Sequence, residues 1–149
     1  MVNSYDDVFE MLKRFGELAS GSGADGETIG EAESSLGVPI NGGYRVFLER
    51  FGWAAIGGLE IYGLGLDVPR HLDLVKVTFS ERQEMEPSLP FSLVPVMNDG
   101  FGDLFCIDTR IDSEPPVVFW EHSAGPRQVV SVESEDFASW LGAQLDELT

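Results

Sequence analysis

The apolar positions of this chain change their period partway along. Val8, Leu12, Phe15 and Ala19 share one helical face. Ser4-Tyr5-Asp6-Asp7 ahead of them resembles a capping box with Asp where Glu is usual, so a first helix is predicted to run to Ala19. Ser20 to Gly26, rich in Gly and Ser, reads as a flexible loop. Thr28-Ile29-Gly30-Glu31 is a second capping box; Ile29, Ala32 and Leu36 mark the helix face behind it, and Gly37 suits a left-handed stop. Asn41 is placed to cap a third helix, with Tyr44, Phe47, Leu48 and Phe51 as its apolar stripe and Gly52 as its end.

Trp53 to Gly58 reads as an apolar loop and Leu59 to Gly63 as a strand. Leu72, Val75 and Phe79 fit helical spacing, while Val75, Val77 and Phe79 fit strand alternation. The polar run Ser80 to Glu86, made of good helix formers and stopped by Pro87, favours a helix to about Met85. After it the period shortens. Leu93–Met97, Leu104–Asp108, Val117–His122 and Gln128–Val132 read as strands. Pro95 cannot donate to a ladder, which argues for an edge position or a strand start. Asn98-Asp99-Gly100 marks a turn. Ser134 is expected to cap a last helix, with Glu135 and Asp136 in its first turn and Phe137, Trp140, Leu141, Leu145 and Leu148 as its apolar face. Helices, a block of strands and a closing helix predict an α+β fold. A chain of 149 residues is expected to form one domain over 1–149.

Composition changes this picture in one respect. Twenty-six Asp and Glu face nine Lys and Arg, for a formal net charge of −17. The acids are spread along the chain, so they decorate a folded surface. Such a field repels nucleic acid and anionic membrane and speeds the arrival of cationic partners; it would equally serve solubility alone. The one cysteine, Cys106, excludes an internal disulfide, and its apolar neighbours Leu104, Phe105 and Ile107 predict a buried thiol. The N-terminal residues lack a cationic stretch followed by an apolar one, and no segment approaches the length of a membrane span, so a cytoplasmic protein is expected.

The order of motifs carries a resemblance. An acidic helix ends at Leu36-Gly37, and Tyr44-Arg45-Val46-Phe47-Leu48 follows. Then come Leu93-Val94-Pro95-Val96-Met97-Asn98-Asp99-Gly100-Phe101-Gly102-Asp103-Leu104-Phe105-Cys106-Ile107-Asp108, next Pro116 to His122, and a terminal helix with Phe137 and Trp140-Leu141. From about Thr28 to Leu145 this resembles the SUKH family of fungal cell-wall-synthesis regulators and bacterial immunity proteins. Two positions depart from the family pattern. Ile40-Asn41 stands where Leu-Pro is usual, with the proline at Pro39, and Gly42-Gly43 replaces an acidic pair. The resemblance implies a mixed, largely antiparallel sheet of about five or six strands, flanked by N-terminal helices and a C-terminal helix. It also implies a task, the binding and blocking of a co-produced protein toxin, often a nuclease. An acidic inhibitor suits the basic cleft that such a toxin needs for phosphate. The alternative implied by the fungal members is a regulatory scaffold with endogenous partners.

Candidate chemistry is sparse. Asp99-Gly100-Phe101-Gly102-Asp103 lacks the alternating ligands of a calcium loop and the Lys or helix start of a phosphate cradle, so it reads as a tight turn that can still make contacts. His71 and His122 stand at no metal-ligand spacing, and Ser131, Ser134 and Ser139 lack a nucleophile elbow. No catalytic, cofactor or metal site is therefore expected. Trp53, in its apolar loop, is either core or an anchor for a partner. The residues expected to meet a partner are Trp53, Glu60, Tyr62, Asp67, Asp99, Asp103, Asp112, Glu114 and Glu121, with Asp112 and Glu114 on an acidic hairpin tip. The chain is expected to be a monomer on its own, with no direct contact to nucleic acid or membrane.

Overall fold

The computed structural model describes residues 5–111 and 113–148. Helix α1 (Tyr5–Lys13) is followed by a short strand β1 (Ala19–Ser20), then α2 (Gly26–Leu36), α3 (Gly42–Arg50), β2 (Ala54–Ile56) and β3 (Leu59–Ile61). A 3-10 turn over Arg70–Leu72 leads into α4 (Leu74–Gln83). The strands β4 (Leu93–Asn98), β5 (Leu104–Asp108) and β6 (Val117–Trp120), a 3-10 turn at His122–Ala124, β7 (Ser131–Ser134) and α5 (Phe137–Asp146) complete the order. The α+β class is as expected. The strands divide into two antiparallel sheets, β1-β2-β3 and β4-β5-β6-β7, with a parallel bridge between Gly63 and Asp73 beside them.

The apolar spacing found what is buried better than where elements end. Val8 and Leu12 are buried, but α1 stops at Lys13, ahead of Gly16, and Ala19 pairs with Ala55 of β2 instead of closing a helical face. The expected apolar loop after Trp53 is largely β2, turned into β3 at Gly57-Gly58. Asp25, not Thr28, caps α2: its carboxylate accepts the Thr28 N–H at 2.8 Å. Asn41 sits at the α3 cap without a side-chain bond. Helix α4 starts at Leu74, because Asp73 accepts the N–H groups of Val75 and Lys76. Ser134 belongs to β7, three residues later than the predicted strand start, and Asp136 caps α5. The Gln128 amide is occupied elsewhere, accepting from Glu121 N and donating to Gly125 O at 3.0 Å each. Leu148 lies beyond α5 and is exposed. Pro95 does sit on an edge strand: β4 ends its sheet, and the register shifts between Pro95 and Met97.

A relay of rings ties the helices to the larger sheet. Phe9 of α1 lies 5.7 Å from Phe51, Phe47 of α3 5.5 Å from Phe137 of α5, and Trp140 5.5 Å from Phe105 of β5. Close neighbours at the start of α3 explain Gly42-Gly43. A Cβ at Gly42 would stand 2.8 Å from Pro115 Cδ, and one at Gly43 3.0 Å from the Tyr5 ring. An acidic pair would not fit. The missing negative charge at the start of α3 is supplied across the chain by Glu114, whose Oε2 accepts the Gly43 N–H at 3.0 Å.

Arg82 locks α4 to α2. It is buried, donates from Nη1 to Leu36 O at 2.8 Å and from Nη2 to Phe91 O at 3.0 Å, and lies 3.8 Å over the Phe91 ring. The Leu36 carbonyl is at the negative end of α2, where a cation is favoured. Arg82→Met keeps the apolar stem but strands both carbonyls. It is expected to lower unfolding stability by about 2–4 kcal/mol, read as a reduced denaturant midpoint at unchanged slope; a loss below about 0.5 kcal/mol would place this clamp among ordinary surface contacts.

Candidate functional site

Tyr62 follows β3, and both of its backbone groups are fixed. Its N–H donates to Val96 O of β4 at 2.9 Å, and its carbonyl accepts the buried Tyr44 hydroxyl of α3 at 2.6 Å. Gly63 then donates to Leu72 O and accepts from Leu74 N, each at 2.9 Å, which sets the 3-10 turn and the start of α4 alongside. Gly63 is required by closeness: a Cβ there would fall within 2.6 Å of the Gly52 carbonyl carbon.

Two adjoining recesses open around this segment and share Tyr62 and His71. The larger, about 810 Å³, is lined along α4 by Lys76, Val77, Ser80, Glu81 and Glu84, with Arg70 and Phe79. The smaller, about 320 Å³, is lined by Glu60, Leu72, Met97, Asn98 and Asp99 among others. Helical spacing explains the α4 wall, since 76, 80 and 84 form one ridge and 77 and 81 the next. His71 Nε2 lies 3.1 Å from Glu60 Oε2. Burial pushes the Glu81 carboxyl above its ordinary range, with His122 opposing the shift. Burial and the negative charges of Glu81 and Glu60 push the Tyr62 hydroxyl up to about 12, so it remains a neutral donor. The groove therefore offers carboxylates, cations, hydroxyls and an apolar floor on a fixed frame.

Of the residues expected to meet a partner, Glu60, Tyr62 and Asp99 come together here. The others do not. Trp53 is 9% exposed, packs in the core and donates from Nε1 to Asp67 Oδ1 at 3.2 Å, so it is no exposed anchor; Asp67 holds it. Asp99 and Asp103 also build their turn: Asp99 accepts the N–H groups of Phe101 and Asp103, and Asp103 accepts the His122 N–H at 2.9 Å. Glu114 is not a free hairpin tip but the partner of Gly43. Glu121 is exposed beside the Gln128 amide, and Asp112 lies outside the described residues. Sequence reasoning missed Arg70, His71, Lys76, Glu81 and Glu84, which come from separate segments; only the shared face of α4 was available as a signal.

Cys106 is buried in a second apolar cluster with Leu89, Leu93, Leu104, Val118 and Trp120, and burial pushes its thiol well above the ordinary range. Among the described residues no group of three or more His, Cys, Asp or Glu is placed to hold a metal ion, and no helix is long and apolar enough to cross a membrane.

Fold and groove place the chain among α+β proteins in which packed helices support antiparallel sheets. The chain belongs to the SUKH family: the family model SUKH_5, described as SMI1-KNR4 cell-wall, matches residues 5–146. The match begins at α1, ahead of the stretch that carries the motif resemblance. The fold is also similar to a crystal structure of a protein from Pseudomonas syringae pv. tomato, with a TM-score of 0.69 and 23% identity over 91% of this chain and 93% of that one.

Glu114 gives a pH test. Burial and the nearby Asp136 charge raise its carboxyl, while the Gly43 bond opposes them. A group raised in the folded state favours folding at low pH and loses that contribution as pH climbs through the folded pKa. Glu114→Gln, which keeps an acceptor for Gly43, is expected to gain stability relative to the parent as pH rises from about 4 to 7. Chemical denaturation across that range reads the difference, and a constant gap between the two proteins would contradict it.

Proposed function

We propose that this chain is an immunity-type binding protein that captures a co-produced, basic protein toxin, such as a nuclease, and holds it inactive in the bacterial cytoplasm. In this reading it acts as a monomer, binds one toxin molecule, and performs no chemistry on it. The observation that carries the proposal is the groove at Tyr62, where Glu60, Glu81, Glu84 and Asp99 surround an apolar floor held by backbone hydrogen bonds. Family membership supports the class of task. The net charge of −17 supports a cationic partner, because complementary fields raise association rates and exclude like-charged competitors. A prefolded frame supports rapid capture, since little ordering has to accompany docking.

The test is co-expression with the protein encoded beside this chain's own gene. The parent chain should protect cells and form a stable one-to-one complex. Replacing Glu60, Glu81 and Glu84 by Gln and Asp99 by Asn should weaken that complex by about ten- to a hundredfold, with slower association and a weaker dependence of association on salt than in the parent. Unchanged protection by the neutralised variant would overturn the groove as the docking face. Capture of several endogenous partners and no toxin would instead support the regulatory role.

A further inference from the structure

The cations of this acidic chain are mostly consumed. Lys13, Arg45, Arg50 and Arg110 are ion-paired with Glu10, Glu33, Asp6 and Asp108, and Arg82 is buried on carbonyls. Among the described residues Arg14, Arg70, Lys76 and Arg127 make no ion pair, although the chain has 26 acids for nine bases. Of these four, Arg70 and Lys76 line the larger recess. Their position also runs against the usual helix preference. Lys76 is in the first turn of α4, where the helix already carries partial positive charge, and Glu84 caps its negative end. Glu81 stands one turn before that end. These charges add to the helix field, while Asp73 at the start of α4 and Arg82 in its last turn oppose it; along the groove itself Arg70 and Lys76 stand at one end and Glu81 and Glu84 at the other. Between the poles lie Tyr62, Val77, Phe79 and Ser80. Eight residues of helix separate Lys76 from Glu84, roughly 12 Å at 1.5 Å per residue.

We infer that the groove is read by an extended segment of the protein partner in which an acidic side chain meets Arg70 and Lys76, an apolar side chain covers Tyr62 and Val77, and a basic side chain meets Glu81 and Glu84. An extended chain advances about 3.3 Å per residue, so acid and base stand about four positions apart with the apolar residue midway. This rests on the reading of the groove as the docking face and adds to it: the contact segment of an otherwise cationic partner contains an acid. The unpaired cations also repel a purely basic segment, so the arrangement selects among basic partners as well as attracting them.

The probes are ten-residue Ala/Ser peptides carrying Glu-x-Leu-x-Arg, Arg-x-Leu-x-Arg, Glu-x-Leu-x-Glu or Glu-x-Ser-x-Arg, with inorganic phosphate as a further ligand. Each is titrated to millimolar concentration into the full chain while amide chemical shifts are followed. Glu-x-Leu-x-Arg should move the amides of Tyr62, Lys76, Val77, Glu81 and Glu84. It should bind about fivefold more tightly than either single-sign peptide, the scale of one surface ion pair. In Arg70→Glu/Lys76→Glu the preference should switch to Arg-x-Leu-x-Arg, and in Glu81→Lys/Glu84→Lys to Glu-x-Leu-x-Glu. All of these substitutions leave the buried core untouched, and unchanged shifts elsewhere verify the fold. Tightest binding of Arg-x-Leu-x-Arg to the parent would overturn the inference while leaving cation capture at the groove intact. Equal binding of Glu-x-Ser-x-Arg, or phosphate alone reproducing the shifts at Lys76, would also overturn it. Absence of groove shifts with every peptide would overturn both the inference and the docking face.

Discussion

The architecture of this protein hangs on the backbone of one residue. Tyr62 joins the two sheets through its N–H to Val96 and joins β3 to α3 through its carbonyl, which takes the Tyr44 hydroxyl. These groups are buried, so leaving either unpaired would cost about 1–3 kcal/mol. Gly63 extends the same logic by admitting Gly52 close enough for the 3-10 turn and α4 to lie alongside. The groove is therefore not a gap left between independent elements. Its floor, its α4 wall and its β3 wall are referenced to the same few backbone bonds, so the spacing of its charges is already set.

In the proposed reading, that fixed spacing gives the net charge a meaning beyond solubility. An acidic surface attracts basic proteins in general. In the proposed reading, the four carboxylates of the groove, with two cations that make no ion pair among the described residues, are what distinguishes among them. The core spends its other polar groups on structure: Arg82 on the end of α2, Asp67 on Trp53, Glu114 on the start of α3. In the groove Glu60 pairs with His71 and Asp99 braces its own turn, while Arg70, Lys76, Glu81 and Glu84 make no ion pair among the described residues. This arrangement supports the proposal that the chain binds a partner and leaves chemistry to it.

The sequence revealed the layers more readily than the site. Apolar periodicity marked Val8, Leu12, Ile29, Leu36, Tyr44, Phe47, Phe137 and Trp140 as core, because burial imposes a period on each element separately. Boundaries failed where a long-range partner decided them. Ala19 became a strand through Ala55, and α3 begins with glycines because Glu114 and Pro115 occupy the space a side chain would need. Glu60, Tyr62 and Asp99 were expected as contacts from their place near a strand and a turn, and two separate segments bring them together in one recess. Trp53 stayed open between core and anchor because its loop is apolar, and the acid that holds it in the core stands fourteen residues away. Arg70 and Lys76 were invisible as site residues, since what singles them out is their place along the recess, which only the fold creates.

Hydrogen exchange at the Tyr62 amide tests the central constraint most directly. In the parent chain this amide should exchange only through opening of the core, as slowly as the amides of β4. In Tyr44→Phe, which removes a single buried oxygen, its exchange should accelerate about tenfold or more, while amides of β5 and β6 are affected less. A Tyr62 amide that exchanges like an exposed loop in the parent, or that is indifferent to loss of the Tyr44 hydroxyl, would contradict the account.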